Sequence, residues 1–393
     1  MESKIGLKTE LKRYFTPKTI EELEAKIAET KQNGETWECD LSDLNVTGIK
    51  SYLFYDCVGL TGIVIPDSVS EIGVFAFSRC SGLTSIEIPD SVTKIGSDAF
   101  HACRGLTSIV FKKGLKEIGQ SAFSGCSSLT SIEIPEGVTK IGNCAFWSCT
   151  GVTNVVIPES VTTISSDTFY NCTGLASIKV AEGNPEYDSR DNCNAIIETA
   201  KNKLIFGCKT TVIPHSVTEI GHEAFANCMG LTSIQIPDGV TEIEIEAFSG
   251  CTGLTSIKVA EGNKKFDSRD NCNAIIETAT NELIVGCCAT TIREGVTEIG
   301  ESAFSGCTCL TSIVIPNGVN KIGYDAFMDC SSLKDVTLPI GVKKIEKSAF
   351  ETCKALETIY VPAKKADYYK KRLPEYLHDK IVELEPEKKA KKK

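Results

Sequence analysis

Nineteen cysteines in 393 residues are the side chains here with the most chemistry to offer. Cys57, Cys80, Cys103, Cys126, Cys149 and Cys172 stand 23 residues apart, and the same step recurs at Cys228 and Cys251 and at Cys307, Cys330 and Cys353. Sulfur in such a series can pair into disulfides, ligate a metal or lie buried as thiol. Zinc needs four converging ligands in tight pairs, and no C-x2-C occurs. The two segments Asp188-Ser189-Arg190-Asp191-Asn192-Cys193-Asn194 and Asp267 to Asn273 are dense in oxygen ligands. Calcium is the sharp reading of these loops. The plain one is an Asx-rich turn, in which Asp and Asn bond their own backbone. The spacing is not that of an EF-hand loop, and an arginine sits in the middle, which favours the turn. The four histidines, His101, His215, His222 and His378, form no H-E-x-x-H, and no G-x-S-x-G, Walker A or dinucleotide-binding glycine pattern is present. The expectation is therefore no catalytic residue, no metal, no cofactor and no enzyme activity.

The element that positions the cysteines is a repeat. A phenylalanine stands three residues before each of the eleven, from Phe54 to Phe350. The unit reads L-x-x-I-x-I-P-x-x-V-x-x-I-G-x-x-A-F-x-x-C and is clearest from Leu83 to Cys103. I-x-I alternates as a strand with one buried face does, and proline ends it. V-x-x-I-G reads as a second short extended piece turning at glycine. A-F-x-x-C is too short for a regular helix and predicts one tight or 3₁₀-like turn. A single unit cannot bury its apolar face, but a stack of them builds a continuous core.

This unit resembles the BspA-like, Treponema-type leucine-rich repeat over roughly residues 53–362. The resemblance implies a mainly β repeat fold: a curved right-handed solenoid with a parallel sheet on its concave side. It also implies a role as an adhesin or interaction scaffold. On that basis the chain divides into an N-terminal helical cap (1–38), the solenoid (39–362) and a helical C-terminal cap with a basic tail (363–393). Adjacent coils ~4.8 Å apart would permit disulfides between ladder cysteines. Their odd number and the burial habit of cysteine favour reduced core thiols instead.

Thirteen strand motifs run from Ile63 to Ile359. Ten of their intervals are 23 residues and two are 33. The wide intervals, IKVAEGNPEYDSRDNCNAIIETAKNKLIFGC and its near copy 79 residues on, each contain two short strand signals and predict a β-hairpin. The residue between the two isoleucines should line the concave sheet. Glu87, Val110, Glu133, Val156, Lys179, Gln235, Lys258 and Tyr360 are the candidate partner-binding strip, since solenoids bind through extended concave faces. A second series, Glu71, Lys94, Glu117, Lys140, alternates in charge and reads as a device for register.

At the ends, Thr16 or Thr19 can cap a helix over 17–33 stopped by Gly34, with Glu22 completing a capping box with Thr19 and Ile20, Leu23 and Ile27 as its apolar stripe. Tyr369, Tyr376 and Ile381 are the expected anchors of the C-terminal cap. The net charge of −10 argues against nucleic acid, although residues 364–393 carry eleven basic against six acidic side chains. MESKIGLKTELKRYF lacks the apolar run of a secretory leader, and no stretch approaches ~18 apolar residues. The expectation is a cytoplasmic protein with a protein partner. A cell-surface or secreted location by a non-classical route is the alternative.

Overall fold

A computed structural model describes residues 14–385, in two compact units, Met1–Val152 and Thr153–Lys393. The basic tail expected beyond residue 385 lies outside the described residues.

The first unit opens on the helix Ile20–Asn33. It starts three residues later than the sequence suggests, because Thr19 is the N-cap: its side chain accepts from the Glu22 amide at 3.2 Å. Glu22 reaches back to the Lys18 amide at 2.8 Å, and Gly34, at φ 71°, ends the helix. Leu23 and Ile27 are buried and Ile20 half-buried.

Two ladders of parallel strands follow. On one, Trp37–Asp40 pairs with Leu60–Val64, and Ser85–Ile88 with Ser108–Phe111. On the other, Gly48–Ile49, Glu71–Ile72, Lys94–Ile95, Glu117–Ile118 and Lys140–Ile141 pair in that order. Equivalent residues of successive repeats face each other in every pair that steps by 23. Lys94 and Lys140 reach the Glu117 carboxylate at 3.3 and 3.0 Å. The Lys140 and Lys94 ammonium groups hold that carboxyl below its usual range.

The A-F-x-x-C segments are turns, and they form a third ladder of a kind the sequence did not suggest. Within Asp98–Cys103 the amides alternate. Ala99, His101 and Cys103 bond back within the turn, while Asp98, Phe100 and Ala102 donate to Gln120, Ala122 and Ser124 of the next coil at 2.7–2.8 Å. Asp98 and Ala102 adopt φ of 55° and 57°, which turns every second amide outward. An uninterrupted 3₁₀ turn would keep these amides to itself and leave adjacent coils unjoined on this side.

Repetition at coil spacing stacks the phenylalanines. Phe54, Phe77, Phe100, Phe123 and Phe146 have ring centroids 5.0–5.5 Å apart and interplanar angles of 2–6°. Each following cysteine donates its thiol to the phenylalanine carbonyl of the preceding coil: Cys80 to Phe54, Cys103 to Phe77, Cys126 to Phe100 and Cys149 to Phe123, at 3.0–3.2 Å. Eight of the eleven ladder cysteines lie in the core as expected, with a polar role added, and Cys172, Cys228 and Cys353 are half-buried.

The second unit repeats this plan and carries both wide coils. Asn154–Ile157 pairs with Ser177–Val180, and Ser233–Ile236 with Ser256–Val259. The hairpins are present as Ala195–Glu198 with Lys203–Gly207, and Ala274–Glu277 with Glu282–Gly286. Each gains a third antiparallel strand, Tyr187–Asp188 or Phe266–Asp267. The second hairpin strand then joins the short-strand ladder in parallel, with Leu204 against Ile220 and Leu283 against Ile299. Each insertion thus opens a new stretch of this ladder: one sheet runs from Tyr187–Asp188 to Glu242–Ile243 and a separate one from Phe266–Asp267 to Lys344–Ile345. The ring stack breaks as well. Gly207 and Gly286 lie under Phe225 and Phe304, where a Cβ would come within 2.2 and 2.1 Å of the ring.

At the C-terminal end the expected helical cap is a mixed one. The helix Ala366–Lys370 is a single short turn, a 3₁₀ segment spans Glu375–Lys380, and the strand Ile381–Glu383 pairs in parallel with Thr358–Val361. An unpaired edge of the last coil is covered by one more strand, which satisfies its backbone as a helix could not. Tyr369 is fully buried, with its hydroxyl on the Pro339 carbonyl. Tyr376 is 56% exposed, and its neighbour Leu377 takes the interior position. Ile381 is half-buried.

One disulfide is present outside the ladder to which the expectation of reduced thiols applies: Cys288 and Cys309 are bonded, with Cα atoms 5.6 Å apart. Both lie off the 23-residue series. The other seventeen cysteines form no disulfide.

Candidate functional site

The strip between the isoleucines is built by strand alternation. Ser85–Ile88 and Asn154–Ile157 bury alternate residues, and the residues between them project outward. Glu87, Val110, Glu133, Val156, Lys179, Gln235 and Lys258 are all exposed. Tyr360 is half-buried, because Val382 of the added terminal strand lies in register beside it. Register brings together Glu87 and Val110 in the first unit, and Val156 with Lys179 and Gln235 with Lys258 in the second. Lys112 caps the Glu87 carboxylate at 3.1 Å.

Within the second unit the strip is not one even row. The Val212 amide donates to the Cys193 carbonyl and Thr291 to Cys272, at 3.1 and 3.0 Å. An extra rung, the end of the Asp-rich loop, therefore lies against Val212 and Thr291 where an ordinary coil would place Lys179 and Lys258. The two 33-residue intervals are the sequence signal for this, but the hairpin's path cannot be read from length alone.

The consequence is a groove of about 640 Å³ on this face, lined by Val212, Ile213, Pro214, His215, Ser233 and Gln235 with Asp191 at its side. Val212 is 73% exposed there. His215 meets Asp238 at 2.7 Å, and this contact holds the Asp238 carboxyl below its usual value. Of these groups Gln235 is among the candidate strip residues, and Asp191 lies in the first Asp-rich loop read from the sequence. Val212 belongs to the same strand series, and His215 carries no motif to mark it.

The two Asp-rich loops are arginine-clamped turns. Arg190 grips Asp188 with Nε at 2.7 Å and with Nη2, and its Nη1 reaches Asn202 at 2.7 Å. Thr199 also donates to Asp188, at 3.0 Å. Arg269 repeats this on Asp267 and Asn281 at 2.6–2.9 Å. Burial works against the Asp188 charge, but the guanidinium outweighs it and the carboxyl lies below its ordinary value. Both Asp188 oxygens are thus committed to the protein's own cation, the arrangement of an Asx turn with a bidentate lock. Glu219, Glu242 and Glu244 converge within 4.8 Å, and the Lys203 ammonium already bridges Glu219 and Glu244.

The ladder thiols are poor nucleophiles. Burial pushes Cys103 and Cys307 up to about 12, far from the thiolate range that catalysis uses. Among the described residues, no helix is long and apolar enough to cross a membrane.

The sequence profile of the BspA type leucine rich repeat region (6 copies) matches residues 47–183, 198–282 and 286–373. Among solved structures, a leucine rich cell surface protein from Faecalibacterium prausnitzii A2-165 is 30% identical over 82% of this chain and 85% of its own, with a TM-score of 0.53. The pneumococcal vaccine antigen PcpA is 20% identical over 90% of this chain and 80% of its own, with a TM-score of 0.50, a likeness of fold. No curated protein matches.

Proposed function

This chain belongs to the BspA-type leucine-rich-repeat family, and we propose that it is a non-enzymatic interaction scaffold that binds a partner protein through the exposed strand strip of its second unit. The observation that carries this is the groove at Val212 and Gln235, where an aliphatic side chain 73% exposed is rimmed by Asp191, His215 and Gln235. An apolar centre with a polar rim is the anatomy of a binding hot spot. Glu87, Val110 and Glu133 of the first unit, with Val156, Lys179, Lys258 and Tyr360 of the second, offer further contacts of mixed sign. The buried, unactivated ladder thiols support a role without catalysis.

Affinity capture from the native cell with quantitative mass spectrometry tests this reading. A partner retained by the wild type and lost at least tenfold with Val212→Asp supports it, as does graded loss with Glu87→Lys, Glu133→Lys and Lys179→Glu. A partner retained equally by all four variants, or none at all, overturns it.

A second reading, as a surface adhesin or antigen, is favoured by two observations. The Faecalibacterium prausnitzii neighbour is a cell surface protein, and Cys288–Cys309 is a bond that persists in oxidising compartments. Protease shaving of intact cells separates it from a cytoplasmic location, since a surface protein is cut and an internal one is protected.

A further inference from the structure

The duplication supplies an internal comparison. Residues 178–208 and 257–287 are near copies 79 residues apart, so Lys203 and Glu282 are equivalent, as are Phe206 and Val285. In the first copy Lys203 lays its stem over Gly221, where a Cβ would meet its Cε at 2.8 Å, and sets its ammonium between Glu219 and Glu244. The Phe206 ring packs 5.8 Å from Phe169. In the second copy both side chains change. Glu282 occupies the same place over Gly300, where a Cβ would meet its Oε1 at 2.6 Å. Val285 is smaller than the ring it replaces and lines a cavity of about 220 Å³ beside Phe248; the equivalent cavity of the first copy, about 260 Å³, is lined by Lys203 instead of Glu282.

Its walls divide by chemistry. Ile245, Phe248, Ile284 and Val285 make an apolar side, with Phe248 and Val285 buried and Ile245 40% exposed at the opening. Glu244, Glu246, Glu282 and Glu301 supply the polar side, and none of the lining residues is basic. Glu244 is committed to Lys203 at 2.9 Å, and Glu246 accepts from Ser302 at 3.4 Å. The half-buried Glu282 carboxylate has no hydrogen bond or ion pair among the described residues. Its in-register neighbour, Glu298, is acidic too, and Lys321 is spent on Glu298. The first copy thus holds an ammonium on an alkyl stem, and the second has an apolar slot, a free carboxylate and no amine of its own.

We propose that this pocket binds an alkylammonium group, its stem against Ile245, Phe248, Ile284 and Val285 and its head on Glu282. A charge-assisted hydrogen bond in a half-buried site is the strong kind, and the slot selects for an aliphatic stem. The group can be a free amine or the lysine side chain of a partner. The pocket shares no residue with the groove at Val212, so either proposal can fail alone.

The test is calorimetric titration of the full chain with n-butylammonium, with n-butanol as the neutral isostere and N-acetyl-lysine methylamide as the protein-like source. The expected result is saturable one-site binding of butylammonium, at least tenfold weaker binding of butanol, and a tenfold or greater loss with Glu282→Gln. Glu282→Lys, which restores the first copy's own ammonium, and Val285→Phe, which restores its ring, should each abolish binding. Thermal melts of all three variants confirm folding, and Glu282→Gln, the near-isosteric change, keeps the test alive if the others unfold. Tighter binding of the lysine derivative assigns the site to a partner's lysine, and tighter binding of butylammonium to a free amine. No saturable binding, equal binding of butanol, or indifference to Glu282→Gln and Val285→Phe overturns the proposal.

Discussion

The thiol of Cys103 donates to the main-chain carbonyl of Phe77, 3.0 Å away and 26 residues earlier in the chain. The same bond recurs at Cys251 to Phe225, Cys330 to Phe304 and Cys353 to Phe327. The sulfur fills a fully buried position and also ties one coil to the previous one. Cys103→Ala removes both contributions and should cost about 1–2 kcal/mol, read from urea unfolding at pH 7. An unchanged midpoint would show that the bond contributes nothing.

Alkaline conditions should expose the same thiols. Cys103 is raised from an ordinary 9.0 to about 12 by burial. A neutral form favoured in the folded state stabilises fully below pH 9 and is lost as pH rises toward 12. Iodoacetamide at pH 8 should leave Cys103 unmodified in the native protein and label it in urea. Native labelling at Cys103, seen by peptide mass spectrometry, would refute its burial.

The Arg190 clamp on Asp188 should make the first hairpin coil sensitive to acid. The Asp188 carboxyl is depressed below its ordinary value, so its contribution is present above about pH 4 and lost as pH falls through the folded value. Asp188→Asn should cost about 1.5–3 kcal/mol at pH 7, the range for hydrogen bonds to charged groups. The gap to the wild type should narrow at pH 3. Equal differences at both values would rule out the charge as the cause.

Gly286 has no room for a side chain, since a Cβ would stand 2.1 Å from the Phe304 ring. Gly286→Ala should destabilise by about 1–3 kcal/mol through overpacking. Phe304→Leu, costly by itself, should cost less in the Gly286→Ala background. A double-mutant cycle that closes with no coupling would show that the ring is not what excludes the methyl group.

Cys288–Cys309 closes a loop with a sequence separation of 21. Restricting an unfolded loop of that size is worth about 3 kcal/mol. Cys288→Ser, or reduction with dithiothreitol, should lower the thermal midpoint by comparable amounts and not additively. Alkylation of both Cys288 and Cys309 in denatured protein purified without reductant, seen by peptide mass spectrometry, would overturn the assignment.

The repeat, its strand register and the burial of its apolar positions were legible because identical residues at a fixed interval must stack. Once Ile86 pairs with Ile109, the whole unit follows in register. The helix Ile20–Asn33 was legible from its caps, and the hairpins from paired strand signals in the wide intervals. Tyr376 was misjudged as an anchor because a 3₁₀ turn rotates Leu377 inward in its place. The disulfide was missed because Cys288 and Cys309 carry no period, and only the fold of the second wide coil brings them together.

By itself, then, the sequence determined the repeat unit, its direction of stacking and which side chain of each unit faces inward, since these depend on contacts one period apart. Only the tertiary structure decided where the strip is broken, which groove Val212 enters and that the place of Lys203 is taken in the second copy by an unpaired carboxylate. Those features depend on how an inserted hairpin rejoins the ladder. That path is set by backbone pairing between segments whose side chains carry no repeat to announce it.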